Sequence, residues 1–318
     1  MKRRDFVRRG AGLSMGALCS GAFALDAAGG RKVYLHYSQQ ELDDAYSDAR
    51  WAPNMRQLLD RQAAAGARVR AQYRPKTISY GSGPAETLDV FSPGFSRHRA
   101  GVALPAMIFI HGGNWRVGTK ESVSFLAPTF LKHGALFIAP EFDPLPGNTL
   151  PGMVDQCRRA ILWVRNNAAA LGADPERLYI AGHSAGGHVA AVLLATDWER
   201  LGAPPGLLKG GLVLSGLCDL EPVVLAAGNR HVKLTPAELI ELSPVHRLRL
   251  VDCPVIVAWG SGDSPEFRRQ GELMARHLRS AGRLAGTYVL DDVNHFEILD
   301  VLATDGAPLA AGTLALIG

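Results

Sequence analysis

The chain has 318 residues, 47% of them hydrophobic and 20% charged, which is an ordinary globular composition and enough length to bury a substantial core. The formal net charge is +4, but residues 1–30 hold five basic and two acidic side chains, which leaves residues 31–318 with 29 basic and 28 acidic ones. That balance gives no electrostatic reason to expect nucleic acid or an anionic membrane surface as a partner.

The first thirty residues have the pattern of an export signal. Adjacent arginines precede an uncharged run from Gly10 to Leu25, and Ala22-Phe23-Ala24 matches the small-x-small pattern of a cleavage site. The apolar run is shorter than the roughly 18 residues that a spanning helix needs. We therefore predict that residues 1–30 are a twin-arginine signal peptide and that the mature protein is periplasmic or secreted, with no stable membrane anchor. Lipidation of Cys19 is the minor alternative.

Residues 31–318 are predicted to form one domain with two small lid elements. Residues 37–71 are polar and helix-prone, and residues 221–248 form an excursion between two predicted strands. Each stretch is long enough to supply the walls or the lid of a pocket, but neither is long enough to be a domain.

Short apolar runs alternate with stretches of helical period from about Leu104 onward. Several runs are apolar on both faces, as a parallel sheet covered on each side requires. The alternation predicts a doubly wound α/β fold, with a mostly parallel twisted sheet and helices on both faces. The segment Glu86–Phe91 predicts an antiparallel edge strand, and Met153–Leu171 is the clearest helix. The predicted parallel strands are Pro105–Ile110, Ala135–Ala139, Leu178–Ala181, Gly211–Ser215, Val255–Trp259 and Thr287–Leu290.

A glycine-rich loop, His111-Gly112-Gly113-Asn114-Trp115, follows the first of these parallel strands. When an acyl group is attacked, its carbonyl oxygen becomes an oxyanion, and the backbone N–H groups of such a loop can point at it without side-chain obstruction. We expect the amides of Gly112, Gly113 or Asn114, together with the amide of Ala185, to stabilise that charge. The alternative is a tight turn that needs glycine for a positive φ, with Trp115 as a core residue.

The sequence Gly182-His183-Ser184-Ala185-Gly186-Gly187 lies directly between a predicted strand and a helix of small residues. A G-x-S-x-G pattern at such a sharp turn projects the serine hydroxyl above the sheet, and the N-terminus of the following helix favours negative charge beside it. The five-residue pattern alone can arise by chance in a Gly/Ser-rich turn. Its place between a strand and a helix favours Ser184 as a nucleophile.

A serine hydroxyl needs a base, and in folds of this kind the chain order is Ser, then Asp or Glu, then His. The other histidines after Ser184 are His188, His231, His246 and His277. The first is one turn into a helix and is better explained by packing, the next two fall in the excursion, and the last is predicted to be solvated on a helix. His295, on the loop after the last predicted strand, is therefore the predicted general base.

The acid that orients the histidine is predicted to be Asp263. It follows a buried strand through Gly260-Ser261-Gly262, and a carboxylate at that edge can reach a histidine on the next loop, fix its tautomer and stabilise the imidazolium. Asp219, after the preceding strand, is the competing candidate. Asp291 and Asp292 are too close in sequence to the histidine to orient it easily.

The cysteines beyond residue 30 are Cys157, Cys218 and Cys253. Their odd number and wide spacing predict neither a disulfide framework nor a zinc site. Buried thiols that act as small apolar residues are the favoured interpretation.

Taken together, these motifs resemble the kynurenine formamidase (arylformamidase) branch of the α/β-hydrolases, which is similar to esterases of the hormone-sensitive-lipase type. The likeness covers nearly all of residues 31–318. The segments that carry it are His111–Trp115, Gly182–His188, Asp219–Pro222, Leu242–Pro244, His295–Ile298, Tyr37–Leu42 and Leu88–Phe91.

The resemblance implies an α/β-hydrolase fold with Ser184, Asp263 and His295 as a catalytic triad, and with no metal and no organic cofactor. It implies a small-molecule ester or amide as substrate and hydrolysis of small carboxylic esters or aryl formamides through an acyl-enzyme. Kynurenine formamidase proper is the narrower alternative, and a non-catalytic binding protein on the same scaffold is the other. Trp115 and Phe296, which flank the catalytic loops, are either pocket walls or ordinary core.

Overall fold

The structure is a computed structural model that describes residues 31–93 and 102–318. The predicted signal peptide of residues 1–30 lies outside the described residues. In chain order the described strands are β1 (Lys32–Tyr34), β2 (Tyr37–Ser38), β3 (Lys76–Ser79), β4 (Thr87–Phe91), β5 (Leu104–Ile110), β6 (Leu136–Pro140), β7 (Ala173–His183), β8 (Leu208–Leu214), β9 (Val255–Gly260) and β10 (Leu284–Leu290).

The helices alternate with these strands along the chain and pack around them. In chain order they are α1 (Gln39–Ala45), α2 (Asp48–Trp51), α3 (Met55–Tyr73), α4 (Ala127–Leu131), α5 (Leu150–Asn166), α6 (Ala168–Leu171), α7 (Ala185–Leu194), α8 (Glu221–Leu225), α9 (Pro236–Leu242), α10 (Pro265–Ser280), α11 (Glu297–Ala303) and α12 (Pro308–Ile317). Short 3-10 turns cover Lys120–Leu126, Glu199–Leu201, Ala227–Asn229, Pro244–His246 and Leu248–Leu250.

The central sheet has eight strands in the order β10-β9-β8-β7-β5-β6-β4-β3. Strands β5 to β10 are mutually parallel, whereas β4 runs antiparallel to β6 and β3 runs antiparallel to β4. The mostly parallel α/β sheet predicted from the apolar runs is confirmed. Strands β1 and β2 form a separate two-stranded sheet.

The prediction of an edge strand over Glu86–Phe91 is wrong in one respect. Strand β4 is antiparallel, as expected, but it lies between β6 and β3, and β3 forms the edge. The Asp89 side chain, which stands between apolar residues in the sequence, is fully buried. Arg70 of α3 forms an ion pair with it, and the Thr77 hydroxyl donates to it at 2.6 Å.

The long helix predicted over Met153–Leu171 also differs from the structure. Helix α5 begins earlier, at Leu150, because the Thr149 hydroxyl caps it by accepting from the Gly152 N–H at 3.1 Å. It ends at Asn166, and α6 continues after Asn167, whose side-chain amide donates to the Trp163 carbonyl at 2.8 Å. This local hydrogen bond competes with the helix backbone and separates the two helices.

Helices cover both faces of the sheet, as predicted. Alternate residues of β5 point to opposite faces, so that Ile108 and Ile110 join a core with α5, α7 and α10, whereas Met107 and Phe109 join a core with α4, α11 and α12. The three predicted thiols are buried and free, as the sequence indicated.

The two predicted lid elements lie next to each other. The Asp43 carboxylate of α1 accepts from the Ala227 N–H at 2.6 Å, and the Gln39 amide donates to the Leu225 carbonyl at 3.0 Å. Within the described residues no single helix has the length and apolarity to cross a membrane, although the bent pair α11 and α12, at 60° to each other, meets both criteria jointly.

Candidate active site

Ser184 occupies the sharp turn between β7 and α7. Its φ of 57° and ψ of −124° place it in a conformation that residues other than glycine rarely adopt. The strand ends at His183 and the helix begins at Ala185, so the serine is the single residue of the turn. This is the backbone geometry expected of a nucleophile elbow.

Two glycines make this turn possible because the chain passes too close to itself for side chains. A Cβ atom at Gly182 would lie 2.2 Å from the Gly186 carbonyl oxygen, and one at Gly186 would lie 2.2 Å from the Ile110 carbonyl oxygen. Both distances are far below a van der Waals contact. The two glycines of the G-x-S-x-G pattern are therefore required by packing around the serine.

Asp263 and His295 meet at the same edge of the sheet. The histidine Nδ1–H donates to Asp263 Oδ1 at 2.6 Å, and both side chains are buried. Asp263 follows β9 and His295 follows β10, and the carboxyl ends of parallel strands lie at one edge. The Nδ1–H bond leaves Nε2 of the neutral ring free to act as a base.

Two further donors fix the carboxylate of Asp263. Ser215 donates its hydroxyl to Oδ2 at 2.6 Å, and the Gly260 N–H donates to the same oxygen at 3.1 Å. Burial raises the pKa of Asp263, but the charge of His295 and these hydrogen bonds outweigh burial and hold the pKa below its ordinary value. The residue is therefore a carboxylate at neutral pH.

The interaction between Asp263 and His295 raises the pKa of the histidine, whereas it lowers the pKa of the aspartate. Burial lowers the pKa of His295, but the charge of Asp263 and its hydrogen bond outweigh burial and raise the pKa above its ordinary value. A raised pKa makes the imidazole a stronger base for a serine hydroxyl and stabilises the imidazolium that proton transfer forms.

His183 links the histidine loop to the serine turn. Its Nε2–H donates to the His295 carbonyl oxygen at 2.7 Å, and the two rings are 4.7 Å apart. Because His183 directly precedes Ser184, this bond fixes the two loops against each other. Burial lowers the pKa of His183 to about 3, so the ring is neutral. Sequence reasoning did not assign it a role.

The His295 loop is also fastened to the N-terminal segment. The Asn54 side chain donates to Glu297 Oε1 at 3.0 Å and accepts from the Asn294 amide at 2.9 Å. Glu297 in turn accepts from the Asn294 N–H at 2.9 Å. Asn54 lies more than two hundred residues earlier in the chain, so no local pattern could have predicted this contact.

The glycine-rich loop after β5 lies against the serine turn. A Cβ atom at Gly112 would be 3.3 Å from Ser184 Cβ and 2.7 Å from the His183 carbonyl oxygen. Gly113, Asn114 and Trp115 all have positive φ values, 118°, 51° and 57°. Three successive residues in this region form a tight coil, so the turn interpretation of the loop holds, and the same coil brings its backbone beside Ser184.

Side chains on both sides fix this loop. The His111 ring contacts Glu141 Oε1 at 2.9 Å through Nε2 and the Gly112 carbonyl at 3.0 Å through Nδ1. His231 of the second lid element donates to the Asn114 carbonyl at 2.9 Å. The predicted lid element at residues 221–248 therefore contacts the loop that was predicted to supply the oxyanion donors.

A small cavity opens beside the serine. Both predicted lid elements contribute to its walls, together with the glycine-rich loop and the start of α10. The residues that line it are Tyr46, Asp48, Asn114, Trp115, Ser184, Ala185, Leu217, Asn229 and Phe267. Trp115 lines this cavity and is also buried in the core at 3% exposure, so both predicted interpretations describe it. Phe296 is not among these wall residues, and it packs edge-on against the His295 ring at 5.2 Å.

A second, mostly apolar cavity lies behind the glycine-rich loop and shares Trp115 and Ala185 with the first. It also reaches Gly112, and its far wall comes from Phe142 and Met153. The indole of Trp115 therefore stands between two cavities that flank the predicted oxyanion donors.

The remaining candidates have other partners. Asp219 accepts from the Tyr34 hydroxyl at 2.5 Å and lies 3.5 Å from the Arg269 guanidinium, so it is committed to that cluster. His188 is buried, and its Nε2–H donates to the Leu242 carbonyl at 2.7 Å, in agreement with a packing role. The other predicted non-catalytic groups are exposed, namely His246, His277, Asp291 and Asp292.

The site combines a serine hydroxyl on a strained turn with a buried Asp–His pair on the neighbouring loops, and within the described residues no hydrogen bond joins Ser184 Oγ to the His295 ring. In the described part of the chain no cluster of three or more His, Cys, Asp or Glu side chains is arranged to hold a metal ion. Proton transfer at Ser184 and hydrogen bonding to an oxyanion are the functions that these residues can provide.

Known proteins resemble this chain over most of its length. The chain is 31% identical to a kynurenine formamidase of Danio rerio over 88% of this chain and 97% of that protein. It is 33% identical to a kynurenine formamidase of Salmo salar over 76% of this chain and 81% of that protein. Residues 88–201 match the family described as BD-FAE.

One solved structure, a candidate thioesterase from Silicibacter sp. TM1040, is 28% identical, with a TM-score of 0.73. The match covers 85% of this chain and 98% of that one. The similarity therefore extends to the lid elements and is not limited to the motifs around the serine.

Proposed function

Because this chain belongs to the kynurenine formamidase family of α/β-hydrolases, we propose that it hydrolyses small carboxylic esters or aryl formamides through an acyl-enzyme on Ser184. Hydrolysis of an ester or a formamide is the activity that the family implies. The observation that carries the serine mechanism is the buried Asp263–His295 bond of 2.6 Å, on loops that His183 joins to the strained serine turn.

In the first half of the reaction His295 Nε2 accepts the hydroxyl proton as Ser184 Oγ attacks the carbonyl carbon. Asp263 keeps the ring in the tautomer with hydrogen on Nδ1 and stabilises the imidazolium. The tetrahedral intermediate then collapses, the bond from carbon to the leaving oxygen or nitrogen breaks, and the imidazolium gives its proton to that atom. The products at this stage are an alcohol or amine and an acyl ester of Ser184.

Water completes the cycle by the reverse use of the same groups. His295 removes a proton from the water as its oxygen attacks the acyl carbon, and it then returns the proton to Ser184 Oγ as the ester bond breaks. The net result is one carboxylic acid, or formic acid from a formamide, and a regenerated serine.

We assign the oxyanion hole to the amide of Ala185 and to the backbone of the glycine-rich loop at Gly112, Gly113 or Asn114. Ala185 is the first residue of α7, so its N–H is one of those that a helix leaves without an internal partner. The removal of one such donor typically lowers kcat by about a hundredfold to a thousandfold.

Kynurenine formamidase activity proper is the narrower form of this proposal, and the names of the two curated relatives support it. The aromatic cavity walls at Tyr46, Trp115 and Phe267 would accept an aryl group on the leaving side. The same walls would accept an aryl ester, so the leaving-group preference has to be measured.

The test is to assay residues 31–318 and the Ser184→Ala variant against p-nitrophenyl acetate and N-formylkynurenine side by side. Loss of the serine should abolish burst kinetics and lower kcat on every substrate by several orders of magnitude. Equal turnover by the variant would contradict the serine mechanism. Ester turnover without deformylation would exclude the narrower activity, and inactivity on both substrates would favour a binding protein on this scaffold.

A further inference from the structure

The wall of the serine cavity carries one formal charge, and it is negative. Asp48 is the single ionisable carboxylate among the described residues that line this cavity, and no basic side chain lines it. We propose that Asp48 is a specificity-determining residue that makes the enzyme prefer substrates with a cationic, ammonium-type group close to the scissile bond. This inference rests on the proposed function, since it concerns substrates of the same serine site.

The carboxylate of Asp48 is available to a ligand. It lies at the first position of α2, it is exposed, and within the described residues it makes neither a hydrogen bond nor an ion pair through its side chain. The neighbouring acid, Asp44, is by contrast paired with Arg50 at 2.9 Å. The negative charge of Asp48 also reaches the catalytic centre, where it adds to the effect of Asp263 on His295.

The walls around Asp48 suit a cation. Tyr46, Trp115 and Phe267 line the cavity, and aromatic faces attract ammonium groups through their quadrupole, most strongly where water is excluded. A carboxylate combined with aromatic walls binds a cation that also carries apolar groups better than it binds a neutral molecule of the same shape.

The net charge behind these walls is also negative. Glu266 is buried at the start of α10, and Asp219 lies next to it, whereas Arg269 is the one guanidinium that neutralises both. The cluster therefore keeps an excess of one negative charge behind Tyr46 and Phe267. Three arginines directly follow wall residues in sequence, namely Arg116, Arg230 and Arg268, but none of the three lines the cavity. The charge of Arg116 acts on His231.

An amide in the cavity wall can offer a hydrogen bond to a bound substrate. Asn229 is 4% exposed and lines the cavity. Its Oδ1 accepts from the Asn114 amide at 3.2 Å, but its own Nδ2 has no acceptor among the described residues. This Nδ2 atom keeps solvent-accessible surface. It can therefore donate to an acceptor atom of a bound substrate, such as the oxygen of an ester or formamide group.

The experiment compares two inhibitors of equal shape and different charge. Choline carries a trimethylammonium group, and 3,3-dimethylbutan-1-ol carries a neutral tert-butyl group in its place. Both are tested as competitive inhibitors of the hydrolysis of p-nitrophenyl acetate. We expect choline to have the lower inhibition constant in the parent enzyme, and the ratio of the two constants to fall by about threefold to fivefold in Asp48→Asn.

The ratio of the two inhibition constants separates recognition of the ammonium group from effects on the basicity of His295. Any change in His295 caused by the loss of the Asp48 charge alters the turnover of the assay substrate, but it does not distinguish two inhibitors of the same shape. Asp48→Glu should keep the ratio. Asp60→Asn, a matched loss of one exposed carboxylate on α3 away from the cavity, should keep it as well.

Salt gives a further readout. The preference of the parent for choline should decrease as ionic strength rises from about 0.01 M to about 0.15 M, because the screening length falls from about 30 Å to about 8 Å. In Asp48→Asn the preference should depend less on salt than in the parent. Equal inhibition by the two compounds, or a ratio that Asp48→Asn leaves unchanged, would overturn the inference. Ester turnover that survives Ser184→Ala would instead contradict the proposed function.

Discussion

The backbone of Ser184 is strained and two hydrogen bonds hold it in place. Its N–H donates to the Leu214 carbonyl at 2.9 Å, and its carbonyl accepts from the His188 N–H at 3.0 Å. A positive φ at a residue with a side chain costs about 1–3 kcal/mol, and such strain persists only where the surrounding structure fixes the residue. The serine is thus fixed by β8 on one side and by its own helix on the other before any substrate binds.

The Asp263–His295 bond predicts a specific kinetic effect. In Asp263→Asn the ring loses the carboxylate that selects its tautomer and raises its pKa, so kcat should fall by about ten-thousandfold, as the loss of this carboxylate does in serine proteases. The His295 ring of the variant should also stay in its neutral, basic form down to a lower pH. The acid limb of the kcat/KM profile should therefore move to lower pH, because the pKa of His295 decreases when the neighbouring negative charge is removed.

The measurement is a pH profile of kcat/KM for the parent and the variant, with circular dichroism to show that both are folded. Asp291→Asn is the matched control, because Asp291 is exposed and lies four residues before the same histidine. It should keep both the rate and the acid limb. An acid limb that stays in place in Asp263→Asn would show that another group orients the histidine.

The sequence shows which polar side chains follow a strand, but it does not show which side chains reach the site from distant segments of the chain. Asp263 and His295 could be predicted because each stands on a loop at the carboxyl end of a parallel strand. Asp48 and Asn229 could not, because their place at the serine depends on how the two lid elements fold back over the sheet. Ser215 directly follows β8, but its role could not be predicted either, because its hydrogen bond to Asp263 depends on the register of two neighbouring strands.

At the scale of elements, the N-terminal segment is docked by one polar cluster. The Tyr34 hydroxyl of β1 donates to Asp219, and the Arg269 guanidinium of α10 lies 5.4 Å from the centre of the Tyr34 ring. Gln270 donates to the Tyr46 hydroxyl at 3.1 Å on the other side of the segment. These contacts place Tyr46 and Asp48 over the serine cavity, so docking of the segment completes the cavity wall.

The role of Asp219 in this docking leads to a prediction that separates it from Asp263. Asp219→Asn should weaken the hydrogen bond from Tyr34 and the attraction to Arg269, which are worth about 1.5–3 kcal/mol for a charged acceptor. We expect faster proteolysis within residues 31–54 and a raised KM. The acid limb of the pH profile should stay in place, since Asp219 does not contact His295.

Limited proteolysis with mass spectrometry, followed by a pH profile, tests this prediction. Asp174→Asn is the control, because Asp174 lies at the other end of β7, away from the segment. A shifted acid limb in Asp219→Asn would revive the competing candidate for the orienting acid. Unchanged proteolysis would show that other contacts dock the segment.

The elements themselves could be predicted to different degrees. The parallel strands β5 to β9 are covered on both faces, and their continuous apolar runs stand out in the sequence. Strand β3 was missed because Lys76–Ser79 is short, largely exposed and contains a single apolar side chain. The place of β3 in the sheet is fixed by its pairing with β4, and so short a segment shows no periodic pattern of apolar residues that would predict this pairing.

In the molecule as a whole, the sheet separates two cores, and the predicted triad residues lie at its carboxyl edge. Burial there has a cost for the histidines that support the site. Burial lowers the pKa of His188 to about 4 and that of His183 to about 3, so both rings are neutral in the folded protein. In the unfolded chain they would titrate near pH 6.5.

This difference predicts acid sensitivity in a defined range of pH. Between about pH 6.5 and pH 4.5 the unfolded chain binds protons at His183 and His188 that the folded protein does not, so the free energy of unfolding should fall as pH decreases. The lowered pKa values of Asp263 and Glu141 act in the same sense, but only below their ordinary range near pH 4. His295 acts in the opposite sense and at higher pH, because its raised pKa stabilises the fold below about pH 6.5 and this contribution is lost as pH rises.

Urea unfolding of Ser184→Ala at a series of pH values measures this dependence without interference from the nucleophile. His188→Gln should be less stable at pH 7, since it loses the hydrogen bond to Leu242, but its stability should depend less on pH between 6.5 and 4.5. The pKa change at this one group corresponds to about 3 kcal/mol, which the variant no longer loses on acidification. His277→Gln, at an exposed histidine, should keep the slope of the parent. The same slope in all three proteins would mean that His188 takes up its proton without unfolding the chain.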